Sequence, residues 1–252
     1  MYRNLEEFKE KYYSFKKNHE LRDTYVHTDL CEIMWRNRSD KSYPKELESE
    51  LEKYRNSKSQ NKKTRSFHNY TTFYSEFFSK FKSDSISIFE VGLGSNTPGI
   101  EGWMGAEARP GASVYGWSEY FEKGEIYGAD IDKNAIFKDE KKRIATYYMD
   151  QKNKKDVEAA FRDIGKKVDI IIDDGMHRPL YSKRFFDNSI EFLNDGGLFI
   201  VEDLFLASHP KDLQGQYYEN LEYIRAKVRF ADILKLKSDL NSTDNNLMVI
   251  LK

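Results

Sequence analysis

Short apolar runs alternate with helical patterns between residues 86 and 201, and this alternation is the clearest structural signal in the chain. The runs that predict strands are residues 86–89, 126–129, 145–148, 168–172 and 198–201. Residues 157–161 and 181–193 lie between them and have helical spacing, with Phe186, Ile190 and Leu193 on one face. Strands that alternate with helices predict a mostly parallel sheet covered by helices on both faces.

Two flanking patterns complete this prediction. Aromatic residues recur three and four positions apart from Tyr70 to Phe81, which predicts a helix that buries one face, in our interpretation against the sheet. At the other end, residues 231–236 and 247–251 predict two last strands joined by a polar turn. The prediction is therefore a Rossmann-like α/β domain with a seven-stranded sheet.

Residues 1–64 form a charged, helical N-terminal extension in this interpretation, followed by one α/β domain over residues 65–252. Breaks fall near residues 42–44 and 57–61. Tyr12, Tyr13 and Phe15 are candidates for packing on the main body. The basic stretch of Lys58, Lys62, Lys63 and Arg65 lies among polar residues, and we interpret it as a solvated linker rather than a phosphate-binding site.

Composition narrows the functional classes. The 252 residues carry a formal net charge of -1, whereas proteins that bind nucleic-acid phosphates usually have a basic excess, so a nucleic-acid partner is not predicted. Apolar runs stay far below the ~20 residues that cross a bilayer, and no signal-peptide pattern opens the chain, so we expect a cytoplasmic protein. Cys31 is the single cysteine, which excludes an internal disulfide.

Acidic residues stand at the ends of all five predicted strands. In chain order they are Glu90, then Asp130 and Asp132, then Asp150, then Asp173 and Asp174, and finally Glu202 and Asp203. Each acid alone is also typical of a helix N-cap or a turn. Because ligands of open α/β sheets bind at the carboxyl ends of the strands, five such ends together predict a nucleoside site and a cation site.

The loop after the first strand favours one nucleoside over another. Gly92 and Gly94 allow close approach of the backbone, although glycines after a strand are also common in simple turns. A nicotinamide fingerprint needs a third glycine where Thr97 stands, and residues 98–105 are typical of a loop rather than a helix start. Asp130 can accept hydrogen bonds from a ribose diol, and Asp150 with Gln151 is placed to meet an adenine edge. The pattern therefore favours S-adenosylmethionine.

These motifs resemble bacterial class I methyltransferases, in particular enzymes that methylate antibiotic sugars and capsule or other polysaccharide precursors. The resemblance covers roughly residues 65–252. It is carried by the segments 68–74, 89–94, 110–121, 127–132, 150–151, 172–177 and 201–203. It implies a class I methyltransferase fold, S-adenosylmethionine as methyl donor, a sugar or nucleotide-linked small molecule as acceptor, and a homodimer.

The resemblance also implies roles for individual residues. Those expected to bind the methyl donor are Glu90, Gly92, Gly94, Ser95, Asn96, Asp130, Ile131, Asp150, Gln151, Asp173 and Tyr70. Those expected to bind a divalent metal are Asp173, Asp174, Glu202 and Asp203. A ligand set made only of oxygens suits Mg²⁺ better than zinc.

His177 follows the acidic pair closely, and we expect it to act as the general base, with Asp174 as a second catalytic residue. Otherwise it caps the next helix or bonds a neighbouring acid. Three alternatives to sugar O-methylation stay open. The acceptor is a nitrogen or a phosphoryl-type oxygen on a capsule precursor, or the chain is a non-catalytic scaffold that binds the cofactor. An RNA acceptor is disfavoured by the neutral charge.

Overall fold

The computed structural model describes residues 1–21, 26–42, 68–100, 102–206, 211–238, 241 and 243–252. The described residues contain seven α-helices: α1 (Leu5–His19), α2 (Asp29–Arg36), α3 (Tyr70–Phe78), α4 (Ala112–Tyr120), α5 (Lys154–Ile164), α6 (Pro179–Ser189) and α7 (Lys211–Arg225). A 3-10 turn, Ser79–Phe81, continues α3. None of the helices in the described part is both long and apolar enough to cross a membrane.

Eight strands form one mixed sheet. They are β1 (Ser87–Val91), β2 (Glu125–Asp130), β3 (Lys138–Asp139), β4 (Ile144–Tyr148), β5 (Val168–Asp173), β6 (Leu193–Val201), β7 (Phe230–Lys235) and β8 (Asn246–Leu251). Their order across the sheet is β3-β4-β2-β1-β5-β6-β8-β7. Five central strands run parallel, and β8 runs antiparallel to both β6 and β7.

The topology places the switch in strand order between β1 and β5. The chain builds β2 and β4 on one side of β1 and then returns to add β5 and β6 on the other. Because parallel strands end at the same edge, the carboxyl ends of β1, β2, β4, β5 and β6 lie together. This edge is where ligands bind in such sheets.

The N-terminal helix is part of the main hydrophobic core. Phe8, Tyr12 and Phe15 of α1 are buried, and their rings contact Phe77 of α3. The same cluster includes apolar side chains of β1, β5 and β6, so α3 packs in one core with the sheet and α1. Tyr13, on the other side of α1, is 52% exposed.

All seven predicted strands and the aromatic helix are confirmed. The structure adds the two-residue edge strand β3, which pairs antiparallel with β4, and helix α7, which the sequence patterns did not predict. The helical pattern at 181–193 ends earlier than predicted, because Leu193 is the first residue of β6. Some predictions concern residues that the structure does not describe. They are the basic stretch from Lys58 to Arg65, the break at 57–61, most of the break at 42–44, and the boundary at 64/65.

Candidate active site at the carboxyl edge of the sheet

Glu90 lies fully buried near the end of β1. Its two carboxylate oxygens accept hydrogen bonds from the Ser113 hydroxyl and from Nε1 of Trp117, the latter at 2.6 Å. Both donors come from α4, which follows the loop after β1. Burial raises the pKa of the Glu90 carboxyl, while Lys41 opposes that rise. Each carboxylate oxygen of Glu90 thus has a hydrogen-bond donor, as a buried acid requires.

The two glycines after β1 allow other parts of the protein to approach the backbone closely. Gly92 has φ of 95°, and a Cβ there would lie 1.9 Å from the carbonyl oxygen of Asp174. Gly92 therefore lets the β1 turn touch the backbone that follows β5. A Cβ on Gly94 would meet the flexible Met104 side chain. Ser95 is buried, whereas Asn96 is exposed.

Two acids after β2 are engaged by nearby groups. The oxygens of Asp130 accept hydrogen bonds from the backbone N–H groups of Leu93 and Asp132, each at 2.8 Å. Asp132 accepts from the Ser95 hydroxyl at 2.5 Å and from the N–H of Asn134 at 2.9 Å. Burial raises the pKa of Asp130. Each carboxylate oxygen has a second lone pair, so Asp130 can still accept from a bound ligand.

The end of β4 is tied to the loop after β5. The Gln151 amide donates to Oδ1 of Asp173 at 3.1 Å and accepts from the N–H of Met176 at 2.9 Å. Gln151 is buried, and both the NH₂ group and the carbonyl oxygen of its side-chain amide bond other groups of the protein. Asp150 is half-buried and accepts from the N–H of Lys152. Ile131, between the acids after β2, is 39% exposed.

An unpredicted lysine lies among the acids after β5 and β6. The Lys41 ammonium donates to Asp174 at 2.7 Å and to Glu202 at 2.5 Å, and it lies 3.6 Å from Glu90. Glu202 also accepts from the Tyr74 hydroxyl. Burial alone would lower the pKa of Lys41, but its acidic neighbours raise it well above the usual value. Burial raises the pKa of Glu202 well above its usual value, with Lys41 opposing.

Asp203 lies beside this group and is held by the segment that begins α3. The Tyr70 hydroxyl lies 2.7 Å from Oδ1 of Asp203, and Nε2 of His68 lies 3.2 Å from the same oxygen. The His68 ring stacks on Tyr70 and also faces Asp244 at 3.4 Å. Burial opposes protonation of His68, but Asp203 and the other acids raise its pKa to about 10.

His177 has an unused nitrogen next to two acids. Its Nδ1 atom is buried and has no hydrogen-bond partner among the residues that the structure describes. This nitrogen lies 3.7 Å from Oδ2 of Asp203. Asp174, His177 and Asp203 each offer a ligand atom, and these atoms lie within 4.8 Å of one another. His177 has φ of 48°, a left-handed conformation that costs free energy and recurs at functional sites.

The structure therefore groups the predicted site residues in a specific way. Asp174, His177 and Asp203 lie in one cluster that Tyr70 supports, and Glu202 is linked to Asp174 through Lys41. Asp173 instead faces Gln151 and the N–H of Gly175. Sequence patterns missed four residues that hold the acids, namely Lys41, Tyr74, Ser113 and Trp117. Tyr74, Ser113 and Trp117 stand in the segments that carry the resemblance, whereas no sequence signal singled out Lys41.

The donor set fits a divalent cation. Two carboxylates and an imidazole stand close together, and the buried Nδ1 of His177 lacks a partner within the described residues. Oxygen donors with only one nitrogen suit Mg²⁺ or Mn²⁺, which commonly keep several waters. Asp174 and Asp203 are the residues that would hold such an ion.

Comparison with known proteins agrees with this fold. No family model matches the chain. A structural relative is the MycE methyltransferase of the mycinamycin biosynthetic pathway, solved with Mg and SAH, at 22% identity and a TM-score of 0.61 over 90% of this chain and 55% of that one. An O-methyltransferase from Bacillus cereus, solved with SAH, has 11% identity and a TM-score of 0.52 over 91% and 94% of the two chains. The chain has the class I methyltransferase fold.

Sequence relatives point to a narrower group. One relative is 8-demethyl-8-alpha-L-rhamnosyl tetracenomycin-C 2'-O-methyltransferase of Streptomyces olivaceus. The chain is 32% identical to it over 153 residues, and this aligned stretch is 60% of this chain and 36% of the relative. The chain is also 30% identical over 144 residues to mycinamicin VI 2''-O-methyltransferase of Micromonospora griseorubida, covering 57% and 33%. The chain thus spans about a third of the length of the curated relatives that it matches. The resemblance to antibiotic-sugar O-methyltransferases is confirmed.

Proposed function

We propose that this chain transfers the methyl group of S-adenosylmethionine to a hydroxyl of a sugar carried by a small molecule, with help from a divalent cation. The observation that carries the proposal is the convergence of Asp174, His177 and Asp203 at the carboxyl edge. Relatives named for the O-methylation of sugars on antibiotics, together with the fold, support the methyl donor and the acceptor class.

The methyl donor lies, in this proposal, along the edge from β1 to β4. Glu90, Gly92, Gly94, Ser95 and Asn96 face its methionine part, and the remaining residues with donor-binding roles face its nucleoside part or support the site. Those residues are Asp130, Ile131, Asp150, Gln151, Asp173 and Tyr70. Asp130 is best placed for the ribose, because backbone N–H groups fix its orientation and a carboxylate offers about four acceptor positions in all.

Catalysis requires the acceptor oxygen to attack the methyl carbon and lose its proton while the carbon–sulfur bond breaks and S-adenosylhomocysteine leaves. His177 takes that proton on Nε2, while Nδ1 faces Oδ2 of Asp203, 3.7 Å away. Asp203 then stabilises the imidazolium, as the carboxylate does in other acid–histidine pairs. A cation held by Asp174 and Asp203 would supply orientation and greater acidity to the acceptor hydroxyl.

The experiment is a methyl-transfer screen. Purified protein is incubated with isotope-labelled S-adenosylmethionine and a panel of nucleotide sugars, sugar phosphates and glycosylated small molecules, with Mg²⁺ or with excess chelator. We expect a mass gain of one methyl group on a sugar oxygen, which the chelator suppresses.

Each other result has a meaning. A label on nitrogen or on a phosphoryl oxygen selects the alternative acceptors, and full turnover in chelator removes the metal from the reaction. Binding of S-adenosylmethionine without turnover on any acceptor supports a non-catalytic scaffold instead.

Further parts of the proposal concern the whole protein. We propose a cytoplasmic homodimer with a domain over 65–252, an N-terminal extension over 1–64, and small molecules rather than nucleic acids as partners. The formal net charge of -1 supports the last point. Analytical ultracentrifugation measures the mass in solution; a monomer at micromolar concentration contradicts the dimer.

A further inference from the structure

We propose that Lys41 is a tethered cation that competes with the divalent metal ion for Asp174 and Glu202. The inference rests on the proposed function, because it concerns the metal site of that reaction. Lys41 comes from the segment after α2, far in sequence from the acids that it contacts.

The contacts are those of an internal counter-ion. Lys41 is 1% exposed, and its Nζ atom faces three carboxylates at 2.5, 2.7 and 3.6 Å. Lysine is almost never fully buried unless it is paired. Glu202 and Glu90 are themselves completely buried, so a single ammonium offsets much of the negative charge at the ends of β1, β5 and β6.

The backbone around Lys41 is fixed by hydrogen bonds to both neighbouring helices. The N–H of Ser39 donates to Met34 of α2 at 3.0 Å, and the N–H of Thr71 donates to the Lys41 carbonyl at 3.4 Å. The Ser42 hydroxyl donates to Cys31 and accepts from Thr71. The backbone at Lys41 is therefore held in place outside the sheet, and only the side chain extends to the acids.

A metal ion and this ammonium cannot share the same two oxygens. Mg²⁺ binds carboxylate oxygens at roughly 2.0–2.1 Å, so an ion that bridged Asp174 and Glu202 would lie within ~4 Å of the present Nζ position. Two positive charges so close in a buried site repel strongly, since little solvent screens them. An ion that takes these oxygens must therefore displace Lys41.

The part of the site formed by His177 and Asp203 has polar atoms that an incoming ligand can contact. Nδ1 of His177 is buried without a partner within the described residues, and the nearest acid oxygen is that of Asp203. With Lys41 in place, only Asp174 and Asp203 offer oxygens to the ion, and His177 keeps its role as the base. With Lys41 displaced, Glu202 joins the two aspartates. Lys41 thereby limits the metal affinity of the site.

The test is a calorimetric titration of Mn²⁺ into the wild type, Lys41→Met and Lys16→Met. Lys16 is the matched control, because it also forms a close ion pair, at 2.6 Å with Asp232, but on α1 and outside the site. We expect Lys41→Met to bind Mn²⁺ at least tenfold more tightly than the wild type, and Lys16→Met to match the wild type within twofold. Equal or weaker binding by a folded Lys41→Met overturns the competition.

A second measurement needs no variant, so it decides the question if Lys41→Met fails to fold. The wild type is acetylated briefly with and without saturating Mn²⁺, and modified lysines are quantified by mass spectrometry. We expect Lys41 to be protected without metal and several-fold more reactive with it, while Lys16 reacts equally in both. Protection of Lys41 at saturating Mn²⁺ would overturn the competition.

These outcomes are separate from those of the proposed function. Neither experiment uses a methyl donor or an acceptor. Competition without methyl transfer overturns the reaction alone, whereas methyl transfer with unchanged Mn²⁺ affinity in Lys41→Met overturns the role of Lys41 alone.

Discussion

The two halves of the carboxyl edge satisfy their acids in different ways. At the ends of β2 and β4, Asp130 and Asp150 accept from backbone N–H groups, two of them two positions further along the chain and one, that of Leu93, from the loop after β1. At the ends of β1, β5 and β6, the acids accept from side chains far away in sequence. Glu202, for example, binds Lys41 and Tyr74, which are 161 and 128 positions distant.

This difference distinguishes acids that only begin a local turn from acids that the complete fold brings together. The backbone contacts from two positions further along the chain arise wherever aspartate begins a turn, with or without a ligand. Side-chain contacts from far away in sequence require the complete fold, and they bury several charges at a considerable cost in desolvation. The β5–β6 half therefore carries the stronger structural evidence for catalysis, and the following predictions test that contrast in order of expected effect.

The largest effect is expected for His177→Ala. Loss of the general base lowers the rate of methyl transfer about 100- to 10,000-fold, while S-adenosylhomocysteine affinity stays within twofold. Initial rates and calorimetry measure the two quantities. His27→Ala is the control, because His27 pairs with Glu32 on α2, outside the cluster. Equal losses of rate and affinity would assign His177 a structural role.

Gly92→Ala tests the contact that joins the two halves. A Cβ at this position collides with the Asp174 carbonyl at 1.9 Å and also meets an unfavourable φ of 95°. We expect a loss of about 2–4 kcal/mol in unfolding free energy. Gly165→Ala is matched, since its φ is 74° but its nearest neighbouring atom is 4.0 Å away, and it should lose only about 1 kcal/mol. Urea denaturation compares them; equal losses would show that the collision is relieved.

Tyr74→Phe removes one long-range donor from the β6 acid. A hydrogen bond to a charged group is worth about 1.5–3 kcal/mol, so the variant should lose that much stability. Tyr127→Phe is the control, because its hydroxyl bonds the exposed Glu125 at 3.1 Å and should contribute less than about 0.5 kcal/mol. Thermal and urea unfolding decide between them, and a loss in Tyr74→Phe no larger than in the control contradicts the importance of this contact.

The smallest effect is expected for Asp150→Asn. The amide oxygen still accepts from the N–H of Lys152, so stability should change by less than about 0.5 kcal/mol and Mn²⁺ affinity should not change. Asp174→Asn, on the other half, should weaken Mn²⁺ binding at least tenfold. Similar Mn²⁺ affinities in these two variants would erase the distinction between the halves.

The sequence predicted the sheet well because each strand is a short apolar run that the helices must bury. It also placed the acids at one edge, since parallel strands end together. It could not predict Lys41, because a lysine in a charged helical segment has no periodic signal, and its burial depends on how the segment after α2 meets the sheet. The same limit applies to Gln151, whose amide bonds Asp173 within the protein.

The most direct test is a calorimetric titration with S-adenosylhomocysteine, because the central claim is that the acids at the strand ends border one site that holds the methyl donor next to the cation cluster. We predict saturable binding of one ligand per chain, weakened at least tenfold by Asp130→Ala and unchanged by Asp163→Ala, an exposed acid on α5. Absence of binding to the wild type, or equal affinity in both variants, would contradict the account.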